Sequence, residues 1–296
     1  KAVYADKRIV FSAVLCGIAA LIRPIGLLFP IALVFFMFIT KRLSFRRFFA
    51  SSAVFIGIYS AVLLPWFFRN YQEFGHFSLS ATSGYILYYN TIFTEGGIRG
   101  KSYALAEKEA VRESQSIGLS DKNNPFDNDG IYMRIAVKYI KEHPYEYSIR
   151  HFKGMLNMFF NLSTGSITEM FHLKGHELKP EFFQASKGVK DQISGFFQYK
   201  SIYEIIIGII ILIFLLISYM LALSGMIELF KQRHYQPLLL ILGVMLYFAF
   251  LTGVSGLSRY KLPASPFIYI SSGFGLSAFL KKLNIIIIQK SKLKNQ

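Results

Sequence analysis

Three arginines stand where apolar segments of the chain break or end. Arg23 interrupts one apolar run, Arg69 ends a second, and Arg259, followed by Tyr260, precedes a third. A guanidinium is a planar fork of donors that can hold a phosphate through two hydrogen bonds, and a phenol can donate one more. These four residues therefore predict a binding site for a lipid-linked phosphate. The alternative is anchoring, because Arg and Tyr at helix ends commonly reach lipid headgroups.

Arg23 is the hardest of the three to explain as an anchor. It lies near the middle of residues 9–39, and a charge at the centre of a membrane span costs roughly 2.5–3.5 kcal/mol on insertion scales. Such a residue is a functional candidate by default. Pro24 also removes a helix hydrogen bond. We therefore expect two short helices, 9–22 and 25–39, with one kinked helix as the alternative.

Three other motifs have sufficient structural explanations. Residues 95–102 come close to a phosphate-binding loop, but a glutamate replaces the first glycine. The Asp-x-Asp pattern at residues 127–129 occurs in metal-dependent nucleotide-sugar enzymes, although its position before a helix predicts capping. A metal site at His172, His176 and Glu177 is disfavoured, since a glycine interrupts the helix that would align them. The sequence therefore predicts no metal and no cofactor, and assigns no catalytic residue.

Composition restricts the class of protein. The 296 residues carry a formal net charge of +16, yet 53% are hydrophobic and the mean hydropathy is +0.40. A basic nucleic-acid binder or a disordered tail would contain far less Phe and Ile. Nucleic acid is thus excluded as the expected partner. The composition predicts an integral membrane protein that contacts membrane lipids.

Hydrophobic segments predict an all-α polytopic membrane protein with about six transmembrane helices and a mostly helical extracytoplasmic insertion. A span needs roughly 17–25 apolar residues. The predicted spans are 9–22, 25–39, 48–68, 201–226, 237–257 and 263–280. The insertion covers residues 70–200, and residues 281–296 form a basic cytoplasmic tail. Most of the excess positive charge falls on the short segments opposite the insertion, which places the insertion outside the cytoplasmic membrane and the C-terminus inside.

The insertion contains three helical patterns. They cover residues 101–117, 131–142 and 144–161, with Asn128 or Asp129 as the expected cap of the second. The third has apolar residues at helical spacing and charged residues on another face. This pattern favours a helix that lies in the outer leaflet, although packing of its apolar face within the insertion explains it equally well.

Three stretches resemble the polytopic C-type (GT-C) glycosyltransferases, and within them bacterial relatives of dolichyl-phosphate-mannose protein mannosyltransferases and of lipid A aminoarabinose transferase. They are Ala-Ala-Leu-Ile-Arg-Pro-Ile-Gly at residues 19–26, Leu-Pro-Trp-Phe-Phe-Arg-Asn-Tyr at 64–71 and Ser-Arg-Tyr-Lys-Leu-Pro at 258–263. Residues 139–160 are also similar to the outer amphipathic segment of that family.

The resemblance implies a membrane enzyme that moves a sugar from a polyprenyl-phosphate carrier to a glycan, lipid or protein acceptor outside the cytoplasmic membrane. It implies that basic residues hold the carrier phosphate and that an Asp in a first outer loop is the general base. No acid here matches that Asp, so the chain is expected to be the C-terminal part of such an enzyme. The alternatives are a non-catalytic handler of lipid-linked sugars, such as a flippase, polymerase partner or transporter, and a structural membrane subunit.

Overall fold

The structure is a computed structural model that describes residues 7–39, 44–93, 124–162 and 202–294, together with residues 112, 116 and 170. These residues are predominantly helical and contain no strand, which confirms the all-α prediction. Residues 95–102, His172, His176 and Glu177 lie outside the described residues, as does nearly all of the helix predicted at 101–117.

The helices follow one another with short connections. They are α1 Lys7–Ile22, α2 Phe29–Ile39, α3 Phe45–Phe74, α4 Ser83–Tyr88, α5 Pro125–Glu142, α6 Pro144–Phe160, α7 Ile202–Lys231, α8 Tyr235–Thr252 and α9 Ser265–Lys294. Short 3-10 turns cover Pro24–Gly26, Gly253–Ser255 and Ser258–Lys261, and a π turn covers Tyr89–Phe93.

Three helical segments among the described residues are long and apolar enough to cross a membrane. They are Phe45–Phe74, Ile202–Lys231 and Tyr235–Ser255, so the chain is a membrane protein by the length and composition of its helices. The count of six spans is not confirmed. Helices α1 and α2 have 16 and 11 residues, fewer than the roughly 20 that a bilayer core requires. Helix α9, which contains the predicted span 263–280, is rich in Ser and Gly and is not among the three.

Helix α5 corrects one sequence prediction. It begins at Pro125, six residues before the predicted start, and its N-cap is Asn124 rather than Asn128 or Asp129. The Asn124 side chain accepts a hydrogen bond from the Phe126 N–H at 3.0 Å. Proline is well suited to the first helical position because its fixed φ matches the helix and its missing N–H is not needed there.

The chain divides into two compact units, and each has its own core. The first contains α1 to α5, the part of α6 up to Met155, and residues Phe250–Gly256. Small residues of α1 face α3 here: a Cβ added at Gly17 would lie 2.7 Å from Val62 Cγ1. A second cluster in this unit joins α4 to α5 through the buried residues Tyr88, Tyr89, Ile92 and Ala136.

The second unit is organised by close contact between α7 and α9. Gly225 lies against the Ser271 carbonyl, Gly275 lies against the Leu221 carbonyl, and a Cβ at either glycine would clash with that backbone. Small residues of this kind allow backbones to approach in membrane helices. Contacts pair Phe214 with Tyr269 and Ser218 with Ser272. Because the paired residue numbers rise together, α7 and α9 run in the same direction, and the intervening apolar helix α8 supplies the return.

Candidate functional site

The Arg69 side chain lies between two aromatic rings at the end of α3. Its guanidinium carbon is 5.3 Å from the ring centre of Trp66 and 5.2 Å from that of Phe74. Cations over aromatic faces within about 6 Å are attracted by the ring quadrupole. Arg69 also donates from Nη1 to the Asn70 Oδ1 at 2.9 Å. The side chain remains exposed, so the guanidinium is oriented and still accessible to an anion.

A buried polar framework holds this arrangement. Asn70, 2% exposed, donates from Nδ2 to the Ser78 carbonyl at 2.7 Å. The Trp66 Nε1–H donates to the Leu79 carbonyl at 3.0 Å. Both bonds tie the end of α3 to the segment that follows it. The reversal between them requires Gly75, which has a φ of +74° and ends the helix in the left-handed region that glycine tolerates best.

A histidine–carboxylate pair lies next to this cluster in the same unit. The His76 Nε2 is 2.7 Å from the Asp127 Oδ1, and the imidazole stacks on Phe126 with ring centres 5.5 Å apart. Phe126 in turn contacts Phe74 at 5.3 Å, the same ring that lies against Arg69. The fold therefore gathers a cation, an imidazole and a carboxylate around two phenylalanines.

Asp127 and Asp129 each have a partner that the sequence did not reveal. Asp127, in the first turn of α5, bonds His76 instead of capping its own helix. Asp129 accepts a hydrogen bond at 3.0 Å from the backbone N–H of Tyr85, near the start of α4. Sequence reasoning missed His76, although it follows the quoted Arg69 motif by only a few residues. Its partner lies 51 residues away, which no local pattern shows.

Arg23 lies in the first unit at the break between α1 and α2. Its backbone is extended, with φ −139° and ψ 111°, and its carbonyl accepts from the Gly26 N–H at 2.9 Å. The chain is thus interrupted at the predicted place, and the Tyr59 hydroxyl fixes the turn by donating to the Leu27 carbonyl at 2.9 Å. The Arg23 side chain is exposed and makes no hydrogen bond within the described residues. Its phosphate role stays a prediction.

Arg259 and Tyr260 belong to the second unit. The exposed Arg259 guanidinium lies 5.3 Å from the Tyr260 ring centre, so the two side chains are in contact as neighbours. The next residue, Lys261, is the one directed into the unit: its Nζ donates to the Phe159 carbonyl at 3.1 Å. Burial lowers the pKa of Lys261. The fold therefore identifies a third basic side chain that the sequence prediction named only as part of the motif.

His151 is a second histidine that sequence reasoning did not select. Its Nδ1 lies 3.2 Å from the Tyr147 hydroxyl, one turn earlier on α6. The ring packs on Phe250 at 5.2 Å and closely against Gly253, whose φ of +36° and lack of Cβ leave room for it. Burial lowers the pKa of His151, and a hydrogen bond to the Phe250 backbone opposes that effect. This imidazole is packed, in contrast to His76.

The described residues contain no group of three His, Cys, Asp or Glu side chains that could hold a metal ion. Comparison with known proteins adds no family: no family model matches the chain, and neither curated proteins nor solved structures show a significant match.

Proposed function

We propose that this chain is part of a membrane glycosyltransferase that transfers a sugar from a polyprenyl-phosphate-linked donor to an acceptor on the extracytoplasmic side of the cytoplasmic membrane. The observation that supports this most is the orientation of Arg69. A side chain that only anchors a helix to headgroups needs no fixed direction. Arg69 has Trp66 and Phe74 against it and Asn70 bonded to it.

The chemistry asks for such a cation. As the acceptor oxygen bonds to the anomeric carbon of the sugar, the bond from that carbon to the carrier phosphate breaks, and the phosphate leaves with the electron pair. Fixed donors aimed at the developing charge stabilise the transition state in a partly dry site. Arg69 is the proposed donor, with Arg23, Arg259 and Tyr260 as further candidates. The general base is expected from the first outer loop that the resemblance implies.

The proposed topology places Arg69 at the outer surface. Residues 70–200 are then extracytoplasmic and the basic tail 281–296 is cytoplasmic, in agreement with the positive-inside rule. Helix α3 offers an internal comparison, because Arg46 and Arg47 lie exposed in its first turn at the opposite end from Arg69.

Binding can be followed directly, because Trp66 is the single tryptophan of the sequence. The full-length protein in nanodiscs is titrated with polyprenyl phosphate while tryptophan emission is recorded. Arg69→Ala should weaken binding about 10- to 100-fold, since hydrogen bonds to charged groups contribute about 1.5–3 kcal/mol. Arg69→Lys should recover only part of the affinity because it lacks the planar fork. Arg46→Ala makes the same charge change at the other end of the helix and should bind normally.

The outcomes separate the competing functions. Loss of binding in Arg69→Ala together with loss of sugar transfer supports the proposal. Normal binding by Arg69→Ala would show that this arginine is an anchor. Binding without any sugar transfer by the wild-type protein would favour a non-catalytic handler of lipid-linked sugars. No binding by the wild-type protein would favour a structural subunit.

A further inference from the structure

Helix α6 has two opposite faces, and only one is used by the protein. At 100° per residue, Tyr147, His151, Gly154 and Met158 share one side of the helix. Gly154 and Met158 are fully covered, and Gly154 lies against the Gly253 carbonyl. The opposite side carries an apolar stripe, which we define as Tyr145, Ile149, Phe152, Leu156 and Phe160.

Every member of this stripe is exposed. Tyr145 is 77% exposed and Phe152 is 59% exposed. Charged residues stay off the stripe: Glu146, Arg150 and Lys153 lie along one flank. Large contiguous apolar surface of this kind is rare on protein that faces water. The structure thus resolves the alternative left open by the sequence, since the apolar face does not form the helix's own packing surface.

The C-terminal end of α6 connects the stripe to a membrane-spanning helix. The Phe159 carbonyl accepts from the Tyr219 hydroxyl of α7 at 2.6 Å. The ring of Phe160, the last member of the stripe, lies 5.8 Å from the Tyr219 ring. Helix α7 itself exposes long apolar side chains along its length, as a lipid-facing span does. The stripe is therefore continuous with surface that already faces hydrocarbon.

We infer that α6 lies in the interface of the outer leaflet, with the stripe inserted among the acyl chains and Lys153 on the headgroup side. A helix of 17 residues spans about 25 Å along the surface. Interfacial helices bury their apolar face about 5–10 Å into the boundary between headgroups and acyl chains. The occupant of this face is the lipid bilayer. The inference does not depend on the proposed enzymatic function.

Site-directed fluorescence tests the inference. Cys16 is the only cysteine of the chain, so a Cys16→Ser background allows single labels at Phe152→Cys and Leu156→Cys. Glu146→Cys is the matched control, because it is exposed on the flank of the same helix. Each variant carries an environment-sensitive fluorophore in vesicles of phosphatidylethanolamine and phosphatidylglycerol, with either nitroxide-labelled lipid or a water-soluble quencher.

Labels at 152 and 156 should be quenched at least three-fold more strongly by the nitroxide lipid than the label at 146, and correspondingly less by the aqueous quencher. Equal aqueous quenching at all three positions would overturn the inference. So would protection of 152 and 156 from both quenchers, which would show that protein covers the stripe. An Ile149→Cys label provides an independent reading if either of the other two stripe variants is poorly folded.

Discussion

Tyr219 and Lys261 donate hydrogen bonds to one carbonyl oxygen, that of Phe159, over 2.6 and 3.1 Å. This carbonyl lies in the last turn of α6, where helix carbonyls have no intrahelical partner. A cation is also favourable at a helix C-terminus. The two donors therefore satisfy a group that would otherwise be buried without a partner, and together they fix the end of α6 within the second unit.

Loss of either donor should destabilise the protein by about 1–3 kcal/mol, the cost of leaving a buried partner short of a hydrogen bond. Lys261→Met and Tyr219→Phe should show coupling in a double-mutant cycle, because they share an acceptor. Thermal unfolding in detergent measures both. Lys138→Met is the control: its exposed contact with Glu142, at 3.9 Å, should contribute less than about 1 kcal/mol. Purely additive effects would contradict the shared acceptor.

The contact between α7 and α9 should not tolerate a methyl group. Gly225→Ala places a Cβ against the Ser271 carbonyl and should cost about 1–3 kcal/mol, as overpacking does. Gly273→Ala is matched, because it lies on α9 with open space around its Cβ position. That variant should be neutral or more stable by up to about 1 kcal/mol. Midpoints of thermal unfolding compare the two, and equal midpoints would show that the helices adjust freely.

Asn70 should couple stability to ligand binding. Asn70→Ala removes the bond to the Ser78 carbonyl and the bond from Arg69, so we expect a loss of about 1–3 kcal/mol in stability. It should also weaken polyprenyl phosphate binding, because the guanidinium loses its orientation. Gln72→Ala, exposed on the same helix, should change neither. Unaltered binding by Asn70→Ala at full occupancy would remove Asn70 from the site.

Stability should fall with pH because of His151. Burial holds its folded-state pKa below the ordinary value of 6.5, so the unfolded chain binds more protons and stability rises with pH through this window. The contribution is complete above pH 6.5 and is lost as the pH falls toward the lowered pKa. Wild-type midpoints should therefore decrease between pH 7.5 and 5, and His151→Asn should flatten that slope. His143→Asn, a more exposed histidine, should keep it.

The sequence predicted those parts of the fold that depend on nearby residues. The break at Arg23 followed from a charge and a proline in an apolar run, and α6 begins at Pro144 as expected. The position of Arg69 at the end of α3 was also readable. Its contact with Phe74 was not, because that ring is brought to the guanidinium only by how the helix ends and the chain turns at Gly75.

Other features depend on packing between distant segments. The early start of α5 could have been predicted, since Asn124 before Pro125 is a helix-start signal that the more conspicuous aspartates concealed. The pairing of His76 with Asp127 and the inward direction of Lys261 could not, because each depends on a partner far along the chain. The number of spans stays a prediction for a related reason: helices shorter than the bilayer need partners, which hydropathy does not report.

The parallel contact between α7 and α9 has a consequence for biosynthesis. Helix α8 separates them in sequence, so α7 enters the bilayer before its partner has been translated. During that interval Gly225 and the carbonyl of Ser218, which later accepts from Ser272, face lipid or the insertion machinery. The second unit can therefore close only after the ribosome has delivered α9, and a chain arrested after α8 would present this glycine-containing face to the quality-control proteases of the membrane.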